Sequence, residues 1–243
     1  MHLPVAILGK DPASGFPPAS QALAEPNGLL AVGGDLSPER LLTAYRHGIF
    51  PWFERGQPIL RWSPDPRMVF RSDGVRLARR FRRTLRGLPW TVRADTAFDA
   101  VIRACAAPRA GQRGTWITPA MQSAYGELHR LGHAHSIEVF DGERLVGGLY
   151  GVAVGHMFFA ESMASADSGG SKVALAALAQ RLRQWDWPLF DAQLENPHLR
   201  SLGGEAWPRA RFLEEVARLV ALPGHAGSWT GAFGEVAAAA LAG

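Results

Sequence analysis

The 243-residue chain predicts an α+β fold: a small N-terminal domain over residues 1–66 and a larger domain over 67–243, whose mixed, largely antiparallel sheet is flanked by helices. Three observations predict it. Proline and glycine punctuate residues 16–67 so densely that only one clear helix fits there. Beyond Arg67, capped segments with helical periodicity surround a single short strand. From His135 to Met163, strand-like runs follow one another with only tight turns between them, the pattern of an antiparallel meander.

Each element has a local cause. In the front segment, Ser37 is a helix N-cap, Pro38 suits the first helical position, Leu41, Leu42 and Tyr45 form the apolar stripe, and Gly48 is the stop. In "VRLARRFRRTLRG" Leu77, Phe81 and Leu85 recur every fourth residue, predicting a helix with its arginines on other faces. A short strand "WTVR" follows, then a helix from about Asp95 to Ala107 and another from Thr118, capped by Thr-Pro, to Leu131 before Gly132. "HSIEVF" and "RLVGGLYGVAV" flank the turn "DGE" as a hairpin, and "HMFFAESM" is the third strand of the meander. A Gly/Ser loop leads to the helix "SKVALAALAQRLRQW", the short strand "PLFDAQ" and a last helix around "RARFLEEVARLV". The Ala-rich C-terminus is expected to fray.

Composition narrows the class. With 47% hydrophobic and 20% charged residues the chain is an ordinary globular protein, and no segment has the uninterrupted apolar length of a membrane span. The single cysteine, Cys105, can form no intrachain disulfide and is expected as a buried thiol. With the N-terminus lacking a signal peptide's charged leader, these features predict a cytoplasmic protein without a membrane partner. The formal charge of +4 is concentrated. Arg76, Arg79, Arg80, Arg82, Arg83 and Arg86 fall together without an acid, and guanidinium forks suit phosphate oxygens, so Arg76, Arg79, Arg80 and Arg83 are expected to meet a polyanion.

Several motifs lead nowhere. "AVGGDL" lacks the GxGxxG spacing, and "SADSGGSK" lacks the first glycine and the ending of a Walker loop. His133 and His135 have no further ligands to complete a metal site, and neither a Gly-x-Ser-x-Gly elbow nor an activated cysteine offers a covalent nucleophile. No metal and no cofactor is expected.

A constellation remains. Glu161 stands alone in "MFFAESM", an otherwise apolar strand; it is either a solvated edge residue or a buried carboxylate with a task. Asp191 and Gln193, two apart on "PLFDAQ", share a face, and if that strand lies beside "HMFFAESM" then Glu161 joins them. Leu149, Phe158, Met163 and Phe190 would then wall a small-molecule pocket. The helix start "SGGSK", with Lys172, could hold an anion.

"EPNGLLAVGGDLSPERLLTAYRHGIFPWF", "RWSPDPR", "GTWIT", "LGHAHSIEV", "LVGGLYGV", "FFAESM" and "FDAQLEN", in this order over roughly residues 25–205, resemble the bacterial leucyl/phenylalanyl-tRNA-protein transferases. The resemblance implies a GNAT-like larger domain and transfer of Leu, and also Phe or Met, from aminoacyl-tRNA to an N-terminal Arg or Lys of a protein, creating a degradation signal. It implies an aminoacyl side-chain pocket of Leu149, Phe158, Met163, Leu175 and Phe190, with Trp52 and Trp116 near the tRNA's terminal adenosine. Glu161, Asp191 and Gln193 would stand at the reaction centre, and Arg76, Arg79, Arg80, Arg83 and Lys172 would take tRNA phosphates. A monomer is expected. The chain departs from the family pattern at Leu149, where Met is usual, and at Phe190, where a smaller aliphatic residue is.

The donor is an activated ester, so such an enzyme mainly has to hold an α-amine against a carbonyl carbon. An unperturbed aspartate lies about four pKa units below an α-amine, which makes Asp191 an electrostatic and orienting group for the ammonium rather than a base. Gln193 can accept from the amine, and the charge of Glu161 can select a basic acceptor. Two other readings use the same residues. A small-molecule N-acyltransferase would place acyl-CoA pyrophosphate on "SGGSK" but lacks the usual Q/R-x-x-G-x-G/A loop, and an RNA-binding adaptor would leave the pocket constellation without a purpose.

Overall fold

The computed structural model describes residues 5–9, 11, 15–108 and 115–243. Its chain forms two sheets. The first has four short strands, β1 (Ala6–Leu8), β2 (Leu29–Gly33), β3 (Phe50–Pro51) and β4 (Leu60–Trp62), in the order β1-β2-β4-β3. Helix α1 (Pro38–Arg46) lies between β2 and β3; Ser37 caps it by accepting from the Arg40 N–H, and Gly48 ends it at φ +68°.

The second sheet has eight strands: β5 (Arg67–Arg71), β6 (Thr91–Ala94), β7 (Ala134–Asp141), β8 (Arg144–Val154), β9 (Met157–Ser165), β10 (Leu189–Gln193), β11 (Glu205–Trp207) and β12 (Val236–Ala237). Their order is β11-β5-β10-β9-β8-β7-β6-β12. Every neighbouring pair is antiparallel except β9 and β10, which run parallel. The meander β7-β8-β9 is as the turn chemistry predicts, with Asp141 opposite Arg144 and Val154 opposite Met157.

Both faces of this sheet are covered, so its strands read as nearly continuous apolar runs. On one face pack α2 (Arg79–Leu85), α5 (Gly170–Gln184, after α3 and α4 in the chain) and the C-terminal residues. On the other lie α1, α3 (Phe98–Ala106), α4 (Pro119–Arg130) and the helix Arg209–Val220. Glycine sets the close approach of α5 to the sheet: a Cβ on Gly147 would lie 2.4 Å from the Gly170 carbonyl carbon.

Three expectations change. The C-terminus is not frayed: Ala238 and Ala242 are buried, and Arg82 and Arg86 donate to the carbonyls of Gly243 (2.7 Å) and Ala242 (3.1 Å). Alanines pack where their small volume lets backbone approach arginine, which a propensity argument does not detect. The helix expected to begin at Asp95 begins at Phe98, because the Asp95 carboxylate is held by His135 and by the backbone N–H groups of Ser136 and Trp229. The arginine helix is shorter than the apolar repeat predicts; Arg76 precedes it, with its N–H bonded to the Leu202 carbonyl.

Candidate functional site

Glu161, Asp191 and Gln193 do come together. They share the face of the sheet that carries α1 and α4, and the Gln193 Nε2 donates to Glu161 Oε1 at 2.6 Å. This does not come from an ideal strand. β10 has an irregularity between Asp191 and Gln193, and Gln193 sits at φ +61°. A non-glycine residue there is uncommon, and what holds it is its N–H donating to Asp191 Oδ1 at 2.9 Å.

Asp191 is fully buried and pairs bidentately with Arg67, Nε to Oδ1 at 2.7 Å and Nη2 to Oδ2 at 2.6 Å. Arg67 also donates to the Gly48 carbonyl at 3.1 Å, and its guanidinium lies over the rings of Phe50 and Phe212 at 4.7 and 4.6 Å. The expectation of Asp191 as the group that meets an incoming ammonium changes accordingly. Both its oxygens accept from Arg67, Oδ1 also accepts from the Gln193 N–H, and its charge is matched, so in this structure Asp191 holds the Gln193 backbone.

Glu161 has no cation beside it among the described residues. It is 7% exposed, and its carboxyl touches the hydroxyls of Tyr45 (Oε1, 2.7 Å) and Tyr125 (Oε2, 2.9 Å), which are 2.5 Å from each other. Tyr45 donates to Oε1 and Tyr125 to Oε2, so both hydroxyls hold the ionised carboxylate while burial opposes it. Burial accordingly lifts the Glu161 carboxyl to about 7, and the nearby Asp191 charge adds to the rise against the donated hydrogen bonds. The site therefore switches charge near neutrality.

The predicted apolar lining lies elsewhere. Leu149, Phe158, Leu175 and Phe190, with Met163 half-buried, belong to the core on the α5 face of the sheet, opposite the Glu161 side. Strand alternation is the reason: Phe190 and Asp191 are neighbours in β10, so they point to opposite faces. Phe190 stacks on Phe70 at 5.1 Å. The polar group and the apolar lining are thus the two sides of one pair of strands.

Trp52 is an exposed aromatic, 39% accessible, and Trp116 is half-buried before α4 against the core of the α4 face. In the block "GTWIT" Gly114 lies outside the described residues. Trp62, which sequence reading passed over, rests against Trp52 at 5.5 Å and donates its indole N–H to the Trp52 carbonyl. Arg76, Arg79, Arg80 and Arg83 are exposed, and none has a carboxylate partner among the described residues. Arg76 also lines a cleft of about 580 Å³ with Arg82 of α2 and Arg183 of α5. Lys172 stands at the other, N-terminal end of α5 from Arg183, its ammonium 5.7 Å from the Phe81 ring. The anion cradle expected at "SGGSK" is partly filled from within, because the Ser171 N–H donates to the Ser165 hydroxyl at 2.9 Å and a Cβ on Gly169 would strike the Phe81 ring. His135 serves the Asp95 carboxylate at 2.8 Å.

A neutral amide, a carboxyl poised near neutrality and a buried ion pair stand together here, with no serine, cysteine or lysine nucleophile among them. The family model of the leucyl/phenylalanyl-tRNA protein transferases matches residues 69–217, and that of their N-terminal domain matches residues 34–65. The chain belongs to this family of enzymes. A leucyl/phenylalanyl-tRNA–protein transferase of Xanthomonas euvesicatoria pv. vesicatoria is 69% identical over 97% of this chain and 94% of its own, and one of Xylella fastidiosa is 61% identical over 97% of each. Among solved structures, L-PGS of Bacillus licheniformis overlaps loosely, with a TM-score of 0.42 at 12% identity over 79% of this chain and 73% of the other. Among the described residues no helix is long and apolar enough to cross a membrane.

Proposed function

We propose that this enzyme transfers leucine, and also phenylalanine or methionine, from aminoacyl-tRNA to the N-terminal Arg or Lys of acceptor proteins, and that the product enters an N-degron degradation route in the cytoplasm. The observation that carries the reading is Glu161: a buried carboxyl without a cation, bonded to Gln193 at 2.6 Å, in a chain 69% identical to a named transferase. An acceptor that begins with Arg or Lys brings a cation on its side chain and an amine on its backbone. Ionised Glu161 neutralises the cation. The Gln193 Nε2 is spent on Glu161, so its Oε1 is left to accept an N–H of the neutral α-amine and aim the nitrogen lone pair at the ester carbonyl. Attack forms the amide bond and expels the ribose oxygen, whose proton comes from the amine by way of water or the neighbouring hydroxyl. Asp191, anchored by Arg67, acts through Gln193 as a positioning residue.

The test is to incubate the protein with labelled leucyl-tRNA, labelled acetyl-CoA and an Arg-started peptide. Leucyl label on the peptide is the expected result. Acetyl label would favour a CoA-dependent acyltransferase, and retention of tRNA without transfer would favour a binding protein.

The tRNA acceptor stem is assigned to Arg76, Arg79, Arg80, Arg83 and Lys172, with Trp52 and Trp116 at the terminal adenosine. Replacing Arg76, Arg80 and Arg83 with Ala is expected to flatten the slope of log affinity against log salt by about 0.7 to 0.9 for each phosphate no longer neutralised. An unchanged slope in a folded variant would make these arginines merely solvated.

The aminoacyl side chain is assigned to Leu149, Phe158, Met163, Leu175 and Phe190 on the α5 face, which it enters past the end of the β9–β10 ladder at Asp191–Phe159 while its ester stays on the Glu161 side. An aromatic ring where the family pattern has a smaller aliphatic side chain shortens that space, and overfilling costs about 1–3 kcal/mol. The enzyme is therefore expected to prefer leucine over phenylalanine by roughly ten- to a hundredfold in kcat/KM, and Phe190→Ile should narrow the gap. A ratio unmoved by the substitution would assign Phe190 to packing against Phe70 alone.

A further inference from the structure

Three side chains of the small sheet and α1 keep buried donors that meet no acceptor. Arg61 on β4 is 0% exposed and Arg40, in the first turn of α1, is 1% exposed, yet Nε and Nη1 of each have no hydrogen-bond partner. Ser63 extends the β4 pairing by donating its N–H to the Gly28 carbonyl at 2.7 Å, so its side chain falls on the same side as Arg61. It is fully buried too, and its hydroxyl has no partner. Asp35 draws the two guanidiniums together: Arg61 Nη2 donates to its carbonyl, and Arg40 Nε lies 3.5 Å from its Oδ2. Arg40 Nη2 is spent on the carbonyls of Gly9 (3.0 Å) and Asp11 (2.6 Å). Gly34 makes room for the Arg40 side chain, since a Cβ there would lie 3.1 Å from Cδ and 3.2 Å from Nε.

The charges do not balance. Among the described residues Arg40 pairs with the carboxylate of Asp35 and Arg61 with none, and the Asp35 side chain is 35% exposed and also takes the N–H and hydroxyl of Ser37. Burial pulls the Arg61 guanidinium down to about 10, and the Arg40 charge adds to the fall against Tyr125, Tyr45 and Asp35, so both arginines are still cations at neutral pH. A buried charge is costly unless it is paired, and buried donors are nearly always satisfied by protein, water or an ion. Water would serve the donors and leave the charge; an anion serves both. We infer that a small inorganic anion, chloride or phosphate, is held between Arg40, Arg61 and Ser63. Neither guanidinium is open to solvent, which points to an ion taken up as the chain folds rather than to a phosphate of tRNA. The ion would tie β4 to α1, and α1 also carries Tyr45, whose hydroxyl donates to Glu161 at 2.7 Å.

Urea unfolding of the full chain at constant pH and ionic strength, with sodium chloride or sodium phosphate replacing bulky sodium gluconate, tests this. An ion bound by the folded state alone raises the folding constant about tenfold for each tenfold rise in concentration above its Kd. Wild type should show this rise with at least one of the two anions, and Arg61→Met should abolish it. Should Arg61→Met not fold, Ser63→Ala, which keeps both charges, decides: the onset of stabilisation should move to roughly tenfold higher anion for the loss of one charge-assisted hydrogen bond. Indifference of wild type to both anions would overturn the site. So would a rise that survives in Arg61→Met, or an onset unmoved in Ser63→Ala, because the ion would then bind elsewhere.

Discussion

Arg67→Met is expected to lower stability by about 3–5 kcal/mol, because it strands the Asp191 carboxylate in a dry interior. Neither partner is more than 1% exposed, and they are joined by two hydrogen bonds of 2.7 and 2.6 Å. For a chain of this size that is a fall in Tm on the order of 10 °C. The double variant Arg67→Met/Asp191→Leu should recover much of the loss, since apolar residues of similar volume often replace a buried pair at little cost. Transfer should stay impaired in the recovered protein, because Gln193 loses the Asp191 oxygen that holds its backbone at φ +61°. Urea midpoints and single-turnover rates on the same samples separate the two effects. A stable single variant with intact transfer would mean that the pair neither anchors β10 nor positions Gln193. By the same reasoning Asp191→Asn should keep measurable transfer, with a loss within the roughly 10²–10⁴ of a positioned polar group.

Glu161→Gln is expected to reduce transfer to an Arg-started peptide by about 10²–10⁴, mostly through the acceptor's KM, while binding of aminoacyl-tRNA stays near the wild-type value. The same change should stabilise the protein above neutral pH. The sign follows from linkage. The folded carboxyl titrates at about 7 against 4.5 for an unperturbed one. Between those values the folded state holds a proton that the unfolded state has released, so the group's contribution falls as pH rises through this window and is constant above it. Glu138 is also lifted to about 7, chiefly by burial, and adds to the trend. Urea midpoints of wild type and Glu161→Gln at pH 5 and pH 8 check this: their difference should favour the variant more at pH 8. A pH-independent difference would mean that Glu161 keeps its ordinary ionisation in the fold.

How far this was legible depends on the kind of signal each residue leaves. Glu161 was visible because one carboxylate in an apolar strand is costly without a reason. Arg67 carries the same signal in "RMVF", yet it falls where the sequence changes from one pattern to another and reads as the end of a segment rather than the start of a buried strand. Tyr45 and Tyr125 were not legible as polar partners. On an amphipathic helix a tyrosine occupies the same stripe as a core phenylalanine, and only the meeting of α1 with α4 turns their hydroxyls into a pair. The adjacency of β9 and β10 was readable, but the early end of their ladder was not, since it depends on a glutamine in a backbone region that glycine normally marks. The adjacency of the two strands and the family resemblance placed the apolar lining beside the polar group, although Phe190 and Asp191 are neighbours in the sequence. Alternation along β10 puts them on opposite sides of the strands.

The pH dependence of kcat/KM for an Arg-started peptide, compared among wild type, Glu161→Gln and Asp191→Asn, tests the central claim that Glu161 supplies the titrating charge while Asp191 holds Gln193. The acceptor amine itself titrates at about 7.7–8.0. Wild type should therefore rise with a slope of about two below pH 7 and about one between pH 7 and 8. Glu161→Gln should show a slope of about one throughout. Asp191→Asn should keep both limbs, with the lower one displaced to lower pH, because the Asp191 charge is among the influences that raise the Glu161 carboxyl. Loss of the lower limb in Asp191→Asn and its survival in Glu161→Gln would contradict the account and make Asp191 the titrating group of the reaction.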